Sequence, residues 1–199
     1  MNIYCLCFDD YETLDYMGAV EFLYRLPDAT LHYVSEHGGP IYSKQGFAID
    51  TKPMPAPTAN DVLLVVGGSL VDDKAFISRL GVWVDAAGIV LSVCTGSALI
   101  AKTGRLDHHR ATTNKKAWQW VISQSTNVNW ISHARWVHDG KFYTSSGVSA
   151  GMDMTLGFIA DMAGIDTAHD IARHCEYLWQ NDPSKDDFAP FYFNKKTQH

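Results

Sequence analysis

"GIVLSVCTGSALIAKTGRL", residues 88–106, sets an apolar, β-branched run against a run of small helix formers, with Cys94 at the junction. Residues 88–93 read as a strand buried on both faces, because the run is continuous where a half-exposed strand would alternate with polar residues. Residues 95–103, rich in Ala, Leu and Ile, read as a short helix. Cys94 therefore sits at the carboxyl end of a strand, the place where open α/β sheets bind ligands. The small residues around it, Ser92, Gly96, Ser97 and Ala98, suit a sharp turn that holds the side chain out over the sheet. Unpaired N–H groups and the positive dipole end of the following helix favour thiolate, so Cys94 is expected to ionise below the free-thiol value of about 8.5.

The flanking sequence repeats this strand-to-helix pattern. "NIYCLCF" (2–8) and "VLLVV" (62–66) read as buried strands, the first ended by Asp9-Asp10 and the second by Gly67-Gly68. Leu14, Met17, Ala19, Val20, Phe22, Leu23 and Leu26 recur at helical spacing and stop before Pro27-Asp28. Residues 29–36 alternate as a strand, 41–51 as a hairpin or pair of edge strands, and 52–61, with three prolines, form a loop. A helix is expected over 72–87 and another over 114–124, then a strand over 128–132 and a hairpin over 134–147 turning at Asp139-Gly140. Helices over 149–163 and 167–180 precede a polar, aromatic-tipped end. Short strands alternating with helices predict a mostly parallel sheet covered on both faces, an α/β sandwich. Neither a repeat nor a linker divides the chain, so 1–199 reads as one domain.

Composition narrows the partners. A chain of 199 residues, 46% hydrophobic and 19% charged, is long enough for one continuous core. A net charge of -6 offers no attraction to phosphate backbones or anionic lipid, which excludes nucleic acid as a direct partner. The opening residues lack a basic n-region, and no apolar stretch approaches the roughly 18 residues that span a bilayer, so a cytoplasmic protein without a membrane partner is expected. Four cysteines fit neither a disulfide framework nor a zinc site, and Cys5, Cys7 and Cys175 read as packing thiols. His108-His109 has no third ligand at recognisable spacing, so no metal is expected. His133 and His138 lie around the hairpin within reach of a pocket, with solvation the simpler account, and Trp118, Trp120, Trp130 and Trp136 read as core and interface packing. Lys115-Lys116 and Lys195-Lys196 read as solvated charge.

Four blocks carry a resemblance over nearly the whole length: "TLDYMGAVEF", "VLLVVGG", "LSVCTGSALIAKTGRLDHHRATTNKKAW" and "FYTSSGVSAGMDMTLGFIADMAG". Together they resemble the DJ-1/PfpI superfamily. Within it, the Cys-Thr-Gly elbow, "RATT" and "SSGVSAGMD" are similar to the isonitrile hydratase branch and to the amidase-like domains of some AraC-type regulators. Thr95 stands where the protease and glyoxalase branches commonly carry histidine. The resemblance implies a flavodoxin-like α/β/α sandwich, class I glutamine amidotransferase-like, assembled as a homodimer and acting on a small molecule. On the matching positions it implies Cys94 as nucleophile and Asp15 as an acid and base approaching from the first helix. Gly67 and Gly68 would offer a donor nest for negative charge, and Thr95 a hydrogen bond to the reacting group. By that mechanism Cys94 attacks the terminal carbon of an isonitrile while Asp15 handles the proton. Water then resolves the thioimidate to an N-substituted formamide, with no metal or organic cofactor. Taken alone, Asp15 reads first as a helix N-cap or first-turn acid, and Thr95 as a helix-start residue that needs no catalytic role.

The chain departs from that branch at Ala19, where proline is common, and at Asn114-Lys115, where His-Trp is common. Two other classes remain open. One is a redox or small-ligand sensor that uses Cys94 without turnover. The other is a stand-alone ligand domain of the AraC-regulator type.

Overall fold

The structure, a computed structural model, describes residues 1–69 and 72–193; Lys195-Lys196 lie outside the described residues. Strand β1 (Asn2–Leu6) leads through helix α1 (Thr13–Leu23) to β2 (Thr30–Ser35), and β3 (Gly39–Tyr42) and β4 (Ala48–Pro53) follow as an antiparallel hairpin. Next come β5 (Val62–Val65), α2 (Lys74–Ala86), β6 (Ile89–Ser92) and α3 (Gly96–Lys102). After β7 (Arg110–Ala111), α4 (Trp118–Ile122) and β8 (Asn129–Trp130), the hairpin of β9 (Trp136–Asp139) and β10 (Phe142–Ser145) rejoins the main sheet. Helices α5 (Ala150–Ala163), α6 (Ile165–His174) and α7 (Ala189–Phe193) complete the described elements.

The eight-stranded sheet has the order β3-β4-β2-β1-β5-β6-β10-β9, parallel throughout except for the hairpins at its two edges. This is the flavodoxin-like sandwich, and its strand order turns at β1, whose neighbours are β2 on one side and β5 on the other. Such a switch point opens a crevice beyond the carboxyl ends of the strands. Strands β5 and β6 occupy the middle of the sheet, and from Val62 to Val66 every side chain is buried, which is why the run carries no alternation. Helix α2 starts where Asp73 accepts hydrogen bonds from the N–H groups of Ala75 and Phe76.

Three expected elements are corrected. The helix over 114–124 is only α4, because the Asn114 side-chain Oδ1 accepts the Ala117 N–H and holds 114–117 as a turn. The strand over 128–132 shrinks to β8, which pairs with β7 in a two-stranded sheet of its own. The helix over 167–180 starts earlier and stops at His174, since Tyr177, Trp179 and Gln180 are drawn onto Asp153 of α5 by hydrogen bonds of 3.0–3.1 Å. Lys115 is corrected too: its side chain is 2% exposed, so it is core and not solvated charge. Among the described residues, no helix is long and apolar enough to cross a membrane, and no group of three or more His, Cys, Asp or Glu could hold a metal ion.

Candidate active site

Cys94 occupies the turn between β6 and α3 with φ of 58°, a left-handed conformation that a side chain adopts only when its surroundings impose it. The constraint is visible in the hydrogen bonds. The Cys94 carbonyl accepts from the Thr113 hydroxyl at 3.0 Å and the Ser97 hydroxyl at 3.2 Å, and the Gly96 N–H closes the turn on the Val93 carbonyl at 2.9 Å. The elbow read from the small residues around Cys94 is therefore present. Thr113, one of its supports, carries no local signal of that task.

Asp15 comes from the first turn of α1 and is 1% exposed. Its Oδ2 accepts the Gly67 N–H at 3.1 Å, while Oδ1 is buried without a conventional hydrogen-bond partner among the described residues. Cys94 is the neighbouring side chain that most opposes the rise in this carboxyl's proton affinity. A Cβ at position 67 would fall 2.6 Å from both Asp15 Oδ2 and Thr95 Oγ1, so the floor of the site has room only for glycine. The expected donor nest takes a different form: the Gly67 N–H is committed to Asp15, and the Gly68 N–H is committed to Thr95 Oγ1 at 3.2 Å. The two glycines orient the acid and the threonine instead of presenting open donors.

Sequence reasoning missed Asn114 as a site residue. Its Nδ2 donates to Cys94 Sγ at 3.1 Å, and because its Oδ1 is held by the Ala117 N–H, the NH2 end is the end that faces sulfur. A Cβ on Gly147 would land on the Asn114 amide, so the glycine of "SSGVSAGMD" makes the space for it. The available signal was the departure at position 114, where asparagine stands in place of the histidine common in the branch.

The electrostatics correct the expected thiolate. Cys94 is 6% exposed, and burial pushes its thiol well above the ordinary value; the Asp15 charge pushes the same way, against donation from Asn114 and the Thr95 N–H. Desolvation of the sulfur outweighs the start of the short α3 helix. Burial also raises the Asp15 carboxyl from 3.8 to about 7, with hydrogen bonds from Cys94 and Gly67 opposing it. At neutral pH burial thus holds Cys94 as a thiol beside the Asp15 carboxyl.

The other candidates lie apart. His133 and His138 line a cavity of about 660 Å3 with Trp136, Trp179 and Asp161, and that cavity includes neither Cys94 nor Asp15. His109 pairs with Asp139 at 3.2 Å. Asp153 of "SSGVSAGMD" accepts two bonds from Arg135, at 2.7 and 2.9 Å, which ties the hairpin to α5.

A doubly wound α/β sheet with a cysteine on a strand-to-helix elbow and a buried carboxyl beside it defines the class of protein. A model of the DJ-1/PfpI family matches residues 1–161, and the chain belongs to that family. It is 30% identical over 182 residues to the isonitrile hydratase of Pseudomonas putida, a match that covers 89% of this chain and 78% of that protein. It is also 28% identical over 137 residues to the HTH-type transcriptional regulator CdhR of Pseudomonas aeruginosa, covering 67% of this chain and 40% of that protein. Among solved structures, a ThiJ/PfpI family protein from Pseudomonas syringae shares the fold with a TM-score of 0.78 at 24% identity, covering 88% of this chain and 74% of that one.

Proposed function

We propose that this chain is a cytoplasmic, single-domain hydratase that adds water to an isonitrile without a cofactor, using Cys94 as nucleophile and Asp15 as proton carrier. The observation that carries the reading is the buried thiol held against a carboxyl whose proton affinity lies near neutrality. Asp15 takes the thiol proton as Sγ bonds to the terminal carbon, then returns it to that carbon, leaving R–N=CH–S–Cys94. Water adds to the same carbon while the nitrogen is protonated, giving R–NH–CH(OH)–S–Cys94. Loss of sulfur, reprotonated through Asp15, leaves R–NH–CHO and the original thiol. The Asn114 NH2 donates to the sulfur as it departs with its electron pair. The likeness to the Pseudomonas putida hydratase supports the substrate class.

The likeness to CdhR favours a second reading, a ligand domain that binds a small molecule at the same thiol without turnover. A homodimer belongs to both readings. It is supported by exposed Leu14 and Met17 on α1, and by exposed Phe47 in the β3–β4 connection; Thr13 joins the start of α1 to that connection through Gln45 at 2.7 Å.

Incubation with a small alkyl isonitrile, followed by formamide absorbance, tests the hydratase. Turnover that vanishes in Cys94→Ala is the expected result. Absence of turnover, or turnover that survives the substitution, rejects the hydratase reading, and binding without turnover selects the ligand domain.

A further inference from the structure

Lys115 is a cation with no role in the steps above, yet it is among the most enclosed charges in the molecule. Its Nζ donates to Thr112 Oγ1 at 2.7 Å and to the carbonyls of Ala134 at 2.9 Å and Thr113 at 3.3 Å. It also lies 3.5 Å from Asp186 Oδ2 and 5.3 Å from the centre of the Trp118 ring. Burial pulls the ammonium down to about 8, Asp186 pushes it back up, and Arg135, the other charge facing it, is neutralised by Asp153 at 2.7 Å. Enclosing a lysine this way is costly unless its partners are fixed, so the site demands one arrangement of the chain.

That arrangement governs Cys94. The Thr113 carbonyl gripped by Nζ belongs to the peptide that joins Thr113 to Asn114. The Thr113 hydroxyl supports the Cys94 carbonyl, and the Asn114 amide touches Cys94 Sγ. We propose that Lys115 is a positioning residue for the Cys94 nucleophile: paired with Asp186 of the carboxyl-terminal segment, it fixes the 113–114 peptide so that Thr113 and Asn114 meet the elbow from the far side. Asp186, just before α7, thereby becomes part of the support of the site, although the acidic and thiol groups come from the first half of the chain. Asp186 is itself buried and holds the Phe188 N–H with its second oxygen at 3.0 Å, which anchors the segment at the entry to α7. The inference rests on Cys94 being the reactive thiol, and it holds whether or not an isonitrile is the substrate.

The test measures alkylation of Cys94 by iodoacetamide in the folded protein, quantified by peptide mass spectrometry, beside thermal melting of each variant. Lys115→Met is expected to slow Cys94 alkylation about tenfold or more at a temperature well below its melting, because a displaced support misaligns the sulfur. The double variant Lys115→Met with Asp186→Asn removes both charges and keeps the acceptor for Phe188. It is expected to recover the melting temperature of the parent while alkylation stays slow, a separation that a merely structural lysine would not produce. If Lys115→Met alone fails to fold, the double variant carries the comparison. Alkylation that is unchanged or faster in these variants, or that recovers together with stability, overturns the proposal. Because alkylation is read directly, its outcome is independent of whether formamide is formed.

Discussion

Two regions of the molecule bury an aspartate to the same extent, Asp15 at the start of α1 and Asp153 in the first turn of α5, each 1% exposed. Around Asp153 every need is met: Arg135 donates twice to Oδ2, and the Tyr177 hydroxyl and Gln180 N–H share Oδ1. Around Asp15 there is one backbone donor, one thiol and no direct cation contact among the described residues, and one oxygen goes without a conventional partner. Burial raises both carboxyls, but at Asp153 the guanidinium opposes it. A saturated carboxylate builds structure, whereas an undersaturated one keeps its capacity to take and give a proton.

The contrast is broken most severely at Asp153. Asp153→Asn leaves Arg135 buried without its counter-charge and is expected to cost about 3–5 kcal/mol of stability in urea unfolding, with the alkylation of Cys94 in the remaining folded protein little changed. Loss of reactivity without loss of stability would contradict the division of labour.

Asp15→Asn is expected to move stability the other way, by a smaller amount that depends on pH. A carboxyl raised from 3.8 to about 7 on folding holds its proton in the folded state while the unfolded chain has lost it, so the favourable contribution present below pH 4 disappears as pH rises to 7. The asparagine can still accept the Gly67 N–H and carries no charge. Its advantage over the parent in thermal melting should therefore grow from pH 4 to pH 7 and level off above that, reaching at most a few kcal/mol. Glu12 and Lys44 act on Asp15 in opposite senses, so neither reverses that sign. A stability difference that shrinks across this range would contradict the assignment.

The smallest expected effect sharpens the picture at sulfur. Asn114→Ala removes one donor to Sγ, and turnover or alkylation at Cys94 should fall about tenfold, the usual scale for one neutral hydrogen bond at a reacting atom. Gly147→Ala, which drives a methyl into that amide, should reproduce the loss in stopped assays at one pH.

These regions also differ in how far the amino-acid sequence announces them. Strands β5 and β6, the elbow at Cys94 and the glycines that end β5 were legible because each is a local pattern: an unbroken apolar run, small residues at a junction, a glycine pair after a strand. Asp15 was legible only through its family setting, since a first-turn acid is common on any helix. The ionisation of Cys94 was misread because helix starts are local but desolvation is a property of the whole enclosure. Lys115 was misread for the same reason: the partner that buries it, Asp186, is 71 positions away in the chain. Helix α4 was drawn too long because Asn114 to Ala117 contains good helix formers, and a single side-chain cap stops them from joining it.

The central claim is that Cys94 rests as a thiol and becomes nucleophilic only by passing its proton to Asp15. Its most direct test is the pH dependence of Cys94 alkylation in the parent and in Asp15→Asn. The account predicts a rate in the parent that rises through about pH 7 as Asp15 ionises, and a slower rate without that inflection in the variant. A rate already at its plateau below pH 6 and unaffected by Asp15→Asn would mean that the sulfur is ionised on its own, and the account would be wrong.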